Sequence, residues 1–260
     1  MKHDVVYLLK NDYKGEELLY SVRSVCMNFP FRKIVTVGGC PGYIFPDIKI
    51  EHEQTGTTKW ERSKSSLLEA LKCDDLTEDI WLFNDDFFVM DLVKAHEDVN
   101  YFNGTLEKRL IEMRRKFPNG SNYIGRLERL RGQLLQMNKD TLSFALHIPM
   151  LINRQKALDL IESNRNSSIM FRSLYGNYYE IPCEFMKDVK VYDLKTVPDT
   201  PFISTSDASF KSGKVGEFLR KYFDEPCEYE KAQVDRLRDH IKEQYDEEGE
   251  IRYEIAEQSI

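Results

Sequence analysis

The residues most able to do chemistry are Asn84-Asp85-Asp86, which follow directly on the apolar run Ile80-Trp81-Leu82-Phe83. Two adjacent carboxylates cannot both lose their water cheaply, so they call for a cation, a basic side chain or bulk solvent. A divalent metal bridging a diphosphate satisfies that call, because a hard cation takes oxygen from one or two carboxylates and completes its shell with phosphates. Asn-Asp-Asp is also ordinary turn chemistry, and the residues alone leave both readings open. The preceding run, bulky and bounded by Asp79, predicts a strand buried on both faces of a mostly parallel sheet. Its C-terminal end is where open α/β sheets bind ligands.

The elements that would position this pair alternate along the chain. Asp4 to Leu9 predicts a strand, Gly15 to Phe29 a helix stopped by Pro30, and Lys33 to Val37 a second strand, together a βαβ unit. Asp47 to Ile50 predicts a short strand and Thr57 to Leu71 a helix. The first 90 residues thus have the pattern of a nucleotide-binding α/β half. Gly38-Gly39-Cys40-Pro41-Gly42 lacks the spacing of a phosphate-binding glycine loop, and Pro41 interrupts a helix start, so it predicts a turn. Leu106 to Phe117 and Tyr123 to Met137 carry helical periodicity around the turn Pro118-Asn119-Gly120. Further on, Asn153 to Ser163 predicts a helix and Val189 to Tyr192 a strand, with closing helices at Val215 to Tyr222 and Tyr229 to Tyr245. The economical division is one catalytic domain over residues 1–230, with a helical basic insertion near 104–138, and an acidic C-terminal helix or tail over 231–260.

Composition narrows the class. At 260 residues the chain can bury a full core, and its 41% apolar and 12% aromatic content suits a globular enzyme. No run reaches the length of a membrane span, and Met1 leads straight into strand-like sequence without a signal-peptide pattern, so the expected location is cytoplasmic. Five scattered cysteines, with no Cys-x-x-Cys pair, argue against a disulfide framework and a structural zinc. The net charge of −7 is uneven: residues 224–260 hold 13 acidic and 5 basic side chains. Between Lys108 and Arg131, eight basic residues (Lys108, Arg109, Arg114, Arg115, Lys116, Arg126, Arg129, Arg131) face only Glu112 and Glu128. That excess could attract a polyanion, nucleic acid included, or could be a solvated helical face.

Several blocks then carry a resemblance. Glu17-Leu18-Leu19-Tyr20-Ser21-Val22-Arg23-Ser24, Leu82-Phe83-Asn84-Asp85-Asp86-Phe87-Phe88, Ala145-Leu146-His147-Ile148-Pro149, Phe171-Arg172-Ser173-Leu174-Tyr175-Gly176 and Ser204-Thr205-Ser206-Asp207 with Phe223-Asp224-Glu225-Pro226 occur in the order of the blocks of Stealth-type proteins, and resemble them. These are sugar-phosphate transferases related in fold to GT-A glycosyltransferases. The chain has Leu8-Leu9-Lys10-Asn11-Asp12 where the family usually has Trp-Val-Asp-Gly-Ser-Asp, and Ser206-Asp207 where Asn-Asp is usual. The resemblance implies a GT-A-like α/β fold with a helical insertion and C-terminal helices, a nucleotide-sugar donor (a UDP-sugar first) and Mn²⁺ or Mg²⁺. It implies metal ligation by Asp86 and Asp85, and a ribose or phosphate contact from Asn84.

On the same basis Arg23, at the edge of the stripe Leu18, Val22, Val25, needs an anion, either a donor phosphate or a carboxylate such as Asp85. His147 would act as base, phosphate ligand or metal ligand, with a satisfied core histidine as the alternative. Arg172 would clamp phosphate, or make a structural ion pair. Asp207 would orient an acceptor hydroxyl or complete the metal shell, or form a turn. Lys59 and Arg62 are weaker phosphate candidates. Three functions follow: a metal-dependent glycosyltransferase acting on a glycan or a modified nucleic-acid base, a sugar 1-phosphate transferase, and a nucleic-acid-binding module using the segment Lys108 to Arg131.

Overall fold

In the computed structural model, which describes residues 2–91, 99–164, 170–192, 200–231 and 235, the alternating pattern folds as a central five-stranded sheet. Strand β1 (Asp4–Leu8) pairs in parallel with β2 (Ile34–Val37) on one side and β4 (Asp79–Phe83) on the other. Beyond β2 lies β3 (Ile48–Ile50), also parallel, and β7 (Met150–Asn153) closes the opposite edge antiparallel to β4. The order is β3-β2-β1-β4-β7. Ile80 through Phe83 are all buried, as an apolar run at the centre of a covered sheet requires.

Helix α1 (Glu17–Asn28) presents two stripes at helical spacing. Leu18, Val22 and Val25 are fully buried beneath one face. Ser21, Ser24 and Asn28 form a polar stripe that holds β5 (Phe87–Val89): Ser21 Oγ donates to the Phe87 carbonyl at 2.5 Å, the Val89 amide donates to Ser24 Oγ at 3.0 Å, and Asn28 Nδ2 donates to the Val89 carbonyl at 2.8 Å. The strand leaving the acidic turn is thereby fixed by side chains of α1. Helix α2 (Lys59–Leu71) begins at a capping box, in which Thr58 Oγ1 accepts from the Glu61 amide and the Glu61 carboxylate accepts from the Thr58 amide.

The second half surrounds this frame. A two-stranded ladder joins β6 (Asn100–Phe102) to β8 (Cys183–Phe185), and a small sheet of order β5-β10-β9 joins β5 to β10 (Phe202–Thr205) and β9 (Lys190–Val191). Helices α3 (Leu106–Lys116) and α4 (Asn122–Gln136) lie where two helices are expected, and they pack on the sheet: Leu106, Leu127 and Leu134 are fully buried in one cluster with Val6 and Leu82. Then come α5 (Arg154–Ser163), α6 (Phe171–Tyr178), α7 (Asp207–Ser212) and α8 (Lys214–Tyr222).

Two expectations change. The strand expected over Val189 to Tyr192 shrinks to Lys190–Val191. Tyr229 opens no helix; it sits in a single 3-10 turn, Glu228–Glu230, whose Tyr229 carbonyl accepts from the Phe45 amide at 2.7 Å. The rest of the expected closing helix, and the tail over 231–260 apart from Lys231 and Asp235, lie outside the described residues. The glycine turn after β2 is as expected. Gly38 has φ +92°, and a Cβ on Gly39 would lie 2.3 Å from the carbonyl oxygens of Lys10 and Asn11.

Candidate active site

Asp85 and Asp86 occupy the turn between β4 and β5, at the C-terminal edge of the parallel strands. Burial first, and then the charge of Asp86, push the Asp85 carboxyl up to about 6, against a hydrogen bond from the Tyr13 hydroxyl and the charge of Lys10. Asp86 Oδ2 accepts from Lys190 Nζ and from Ser204 Oγ, each at 3.1 Å. Glu17, at the start of α1, is 4% exposed; burial and the neighbouring charges of Asp85, Asp207 and Asp86 raise it to about 7. Four carboxylates therefore share one locality with Lys10, Lys190 and Lys211, and two of the four are held above their ordinary range.

His147 and Asp188 form a dyad. His147 Nδ1 lies 2.9 and 3.0 Å from the two Asp188 oxygens, and the His147 amide donates to Oδ1 at 3.3 Å. Burial raises the Asp188 carboxyl, but its hydrogen bond and charge interaction with His147 bring it below the ordinary carboxylate value. An ionised Asp188 accepts only, so Nδ1 carries a proton, and the tautomer this selects has its lone pair on Nε2. One short segment ties the dyad to the acidic turn: Asp188 holds His147, and Lys190, two residues on, holds Asp86.

A cleft of about 700 Å³ opens beside this turn, with Asn84, Phe87, His147 and Arg172 in its lining. Five cationic side chains line it (Lys59, Lys64, Arg109, Arg126 and Arg172), and no carboxylate stands among its described lining residues. Arg172 donates to the Ile148 carbonyl at 2.5 Å and to the Leu82 carbonyl at 3.4 Å, and packs 5.4 Å from the centroid of the Phe87 ring. Burial pulls it down to about 10, offset in part by Asp86, and it makes no ion pair among the described residues.

The remaining sequence candidates separate. Arg23 is turned to Glu230, with Nε and Nη2 donating to the two carboxylate oxygens at 2.7 Å each and Nη1 donating to the carbonyls of Phe223 and Asp224. Its anion is a carboxylate of the C-terminal turn, neither Asp85 nor a phosphate position. Asp207 is exposed at the first position of α7, capped by Ser206, and close enough to Glu17 to raise it. Lys59 lines the cleft with its ammonium 5.0 Å from the Trp60 ring. Arg62 is exposed on α2, and its guanidinium donates to the Thr57 carbonyl at 3.3 Å. The basic segment Lys108 to Arg131 is partly neutralised on its own helices by Arg114–Glu128, Arg131–Glu107 and Arg109–Glu112, which disfavours a continuous nucleic-acid face. Asp188, Lys190, Glu17 and Tyr13 are the site residues that spacing along the chain did not single out.

A divalent ion fits this donor set in one way. Among the described residues no group of three His, Cys, Asp or Glu side chains could hold it alone. Asp85 and Asp86 offer adjacent hard oxygen donors in a locality rich in negative charge, enough for an ion that brings phosphate oxygens as its other ligands.

Neither a family model nor a curated protein matches the chain. Solved structures do. The galactosyltransferase LgtC, in complex with donor and acceptor sugar analogues, aligns over 90% of this chain and 99% of its own at 10% identity and a TM-score of 0.48. The apo-form glycosyltransferase GlyE of Streptococcus pneumoniae TIGR4 aligns over 86% of this chain and 60% of its own, at 14% identity and TM-score 0.41. A glycosyltransferase involved in glycosylation of the major capsid of PBCV-1 aligns over 86% and 99%, at 11% and 0.36. Among the described residues no helix is long and apolar enough to cross a membrane.

Proposed function

We propose that this protein transfers a sugar from a nucleotide-sugar donor, a UDP-sugar in the first instance, to a hydroxyl group, with Mn²⁺ or Mg²⁺ held by Asp85 and Asp86. One observation carries the reading: the acidic turn at the C-terminal end of β4, the cation-lined cleft and the His147–Asp188 dyad form a single connected site. The ion, when bound, neutralises the diphosphate and so improves it as a leaving group. Arg172, in the cleft and sensing Asp86, stabilises negative charge that grows on the departing phosphate oxygens. Asn84, exposed and lining the cleft, suits a ribose or phosphate contact.

His147 Nε2 takes the acceptor hydroxyl's proton, and Asp188 holds the ring in the tautomer that permits it. The anomeric C–O bond breaks with its electron pair leaving on the nucleoside diphosphate, and the acceptor oxygen forms the new bond to the anomeric carbon. The same constellation would serve transfer of a sugar 1-phosphate, where attack falls on phosphorus and a nucleoside monophosphate departs.

The test incubates wild type and Asp86→Ala with a panel of nucleotide sugars and Mn²⁺ or Mg²⁺, and identifies the released nucleotide by chromatography. Slow hydrolysis by water reports the bond that breaks, so no acceptor has to be supplied. The expected result is nucleoside diphosphate from wild type only, with Asp86→Ala at least about 10²-fold slower, the scale on which preorganised charge acts. Monophosphate release would assign sugar-phosphate transfer, and no release with any donor would sink the transferase reading.

A further inference from the structure

The two carboxylates of the acidic turn are held in different ways. Asp86 immediately precedes β5, and the small β5-β10-β9 sheet supplies its donors, because Ser204 stands opposite Phe87 on one side and opposite Lys190 on the other. Ser204 is fully buried; its Oγ and Lys190 Nζ both donate to Asp86 Oδ2, each at 3.1 Å, and the Thr205 amide donates to the Asp86 carbonyl at 3.3 Å. Asp85 instead takes a bond from the neutral Tyr13 hydroxyl.

Of the two, Asp86 already carries a cation. The Lys190 and Asp86 side chains are 16% and 18% exposed, so solvent screens their attraction far less than it screens an open surface pair. A divalent ion arriving by itself must compete with that ammonium for the carboxylate and meets its like charge at close range. The donor changes the balance. Its diphosphate brings negative charge beside the same ammonium, and the four-carbon stem of lysine lets the charge turn to a new partner while the backbone stays paired to β10. Ser204, neutral and fixed by the sheet, continues to orient Asp86 when the ammonium leaves.

Resting on the transferase reading above, we infer that Lys190 is a resident counter-cation of Asp86, which keeps the divalent ion out until the donor's diphosphate draws the ammonium away, so that ion and nucleotide enter together. Lys190 is then a positioning residue that couples two ligands. The coupling is reciprocal: the factor by which the nucleotide tightens the ion is the factor by which the ion tightens the nucleotide.

Loss of the free Mn²⁺ signal in electron paramagnetic resonance reads ion binding without turnover. Wild type, Lys190→Gln and Lys190→Arg are titrated with and without uridine diphosphate, after subtracting the Mn²⁺ that uridine diphosphate takes up in the absence of protein. Glutamine keeps a donor for Asp86 and removes the charge, whereas arginine keeps the charge. Without nucleotide, Lys190→Gln should bind Mn²⁺ at least about tenfold more tightly than wild type and Lys190→Arg within about threefold of it, and the gain conferred by uridine diphosphate should shrink in Lys190→Gln by a similar factor. Unchanged or weaker binding by Lys190→Gln would reduce Lys190 to a brace of the turn and overturn the inference. Equal tightening with and without nucleotide would overturn it too, since Lys190 would then repel the ion without coupling it to the donor. Wild type gives a reading even if Lys190→Gln does not fold: Mn²⁺ bound equally well with and without nucleotide sinks the idea. A wild type that binds no Mn²⁺ even with uridine diphosphate ends the metal reading as well, whereas Mn²⁺ bound with the nucleotide but indifferent to Lys190→Gln ends this inference alone.

Discussion

Asp188 fixes which nitrogen of His147 is left to accept a proton. Asp188 takes Nδ1–H on both oxygens and leaves Nε2 for the cleft. Under the proposed transfer, His147→Ala removes the group that receives the acceptor's proton and should lower kcat by about 10²-fold or more, with donor KM little changed. Exogenous imidazole should restore part of the rate, and restored rate read against imidazole concentration separates lost chemistry from a damaged fold. Unchanged kcat would return His147 to the role of a satisfied core histidine. Much of this site was legible along the chain. Two carboxylates after an apolar run, a histidine before Ile148-Pro149 and an arginine among aromatics all announce unusual chemistry where they stand. Their partners do not, because Asp188 is 41 residues from His147 and Lys190 is 104 residues from Asp86; the small β5-β10-β9 sheet sets Lys190 beside the acidic turn. Glu17 looks like any first-turn acid until the packing of α1 buries it.

Helix α1 shows how an element can carry a distinctive sequence for reasons of position and not of chemistry. Its apolar stripe covers the sheet, its serines and Asn28 hold β5, and Arg23 clamps the Glu228–Glu230 turn through Glu230. The polar residues of Tyr20-Ser21-Val22-Arg23-Ser24 therefore set the geometry of the acidic turn from behind. Arg23→Met should lower stability by about 1–3 kcal/mol, since it strands a partly buried Glu230 and two carbonyls, and leave donor KM within twofold. Urea unfolding and steady-state kinetics on the same variant check both halves; a tenfold rise in donor KM would put Arg23 back among the phosphate ligands. The elements legible in sequence were those with strong periodicity: β1, α1, β2, α2, β4, α3, α4 and α5 lie within a few residues of expectation. Strand β10 and helix α6 were not, because Phe202-Ile203-Ser204-Thr205 is four residues long and Phe171 to Tyr178 is only two turns with aromatics on several sides. Short elements show too little periodicity to betray themselves, and tertiary packing decides them.

Across the whole molecule the two edges of the central sheet do different work. The C-terminal edge gathers perturbed charge, with Asp85 and Glu17 raised and Arg172 lowered by burial, while at the N-terminal edge a buried carboxylate is fully paired. There Asp4 is completely buried: its Oδ1 accepts from Arg32 Nε at 2.8 Å, and its Oδ2 accepts from Arg32 Nη2 at 2.6 Å and from the Thr77 amide at 2.8 Å. One carboxylate thus joins the first residue of β1, the approach to β2 and the approach to β4. Burial pushes its carboxyl up, but the Arg32 guanidinium and the Thr77 amide outweigh it and hold the carboxyl below its ordinary value. A folded-state value below the unfolded one of about 3.9 means that the ionised form stabilises the fold above that pH. The contribution is lost as pH falls through the folded-state value, so the melting temperature should drop below about pH 4. Arg32→Met removes the cation and leaves burial to dominate, so Asp4 then favours its neutral form. At pH 7 the variant should be about 2–3 kcal/mol less stable, under the 3–5 kcal/mol of a fully buried pair because the Arg32 side chain is 39% exposed. Toward pH 3 its deficit should shrink, as protonation harms wild type and relieves the variant. Thermal melts by circular dichroism from pH 3 to 7 test this, and parallel curves for the two proteins would show that the Asp4–Arg32 pair does not set the acid limit of the fold.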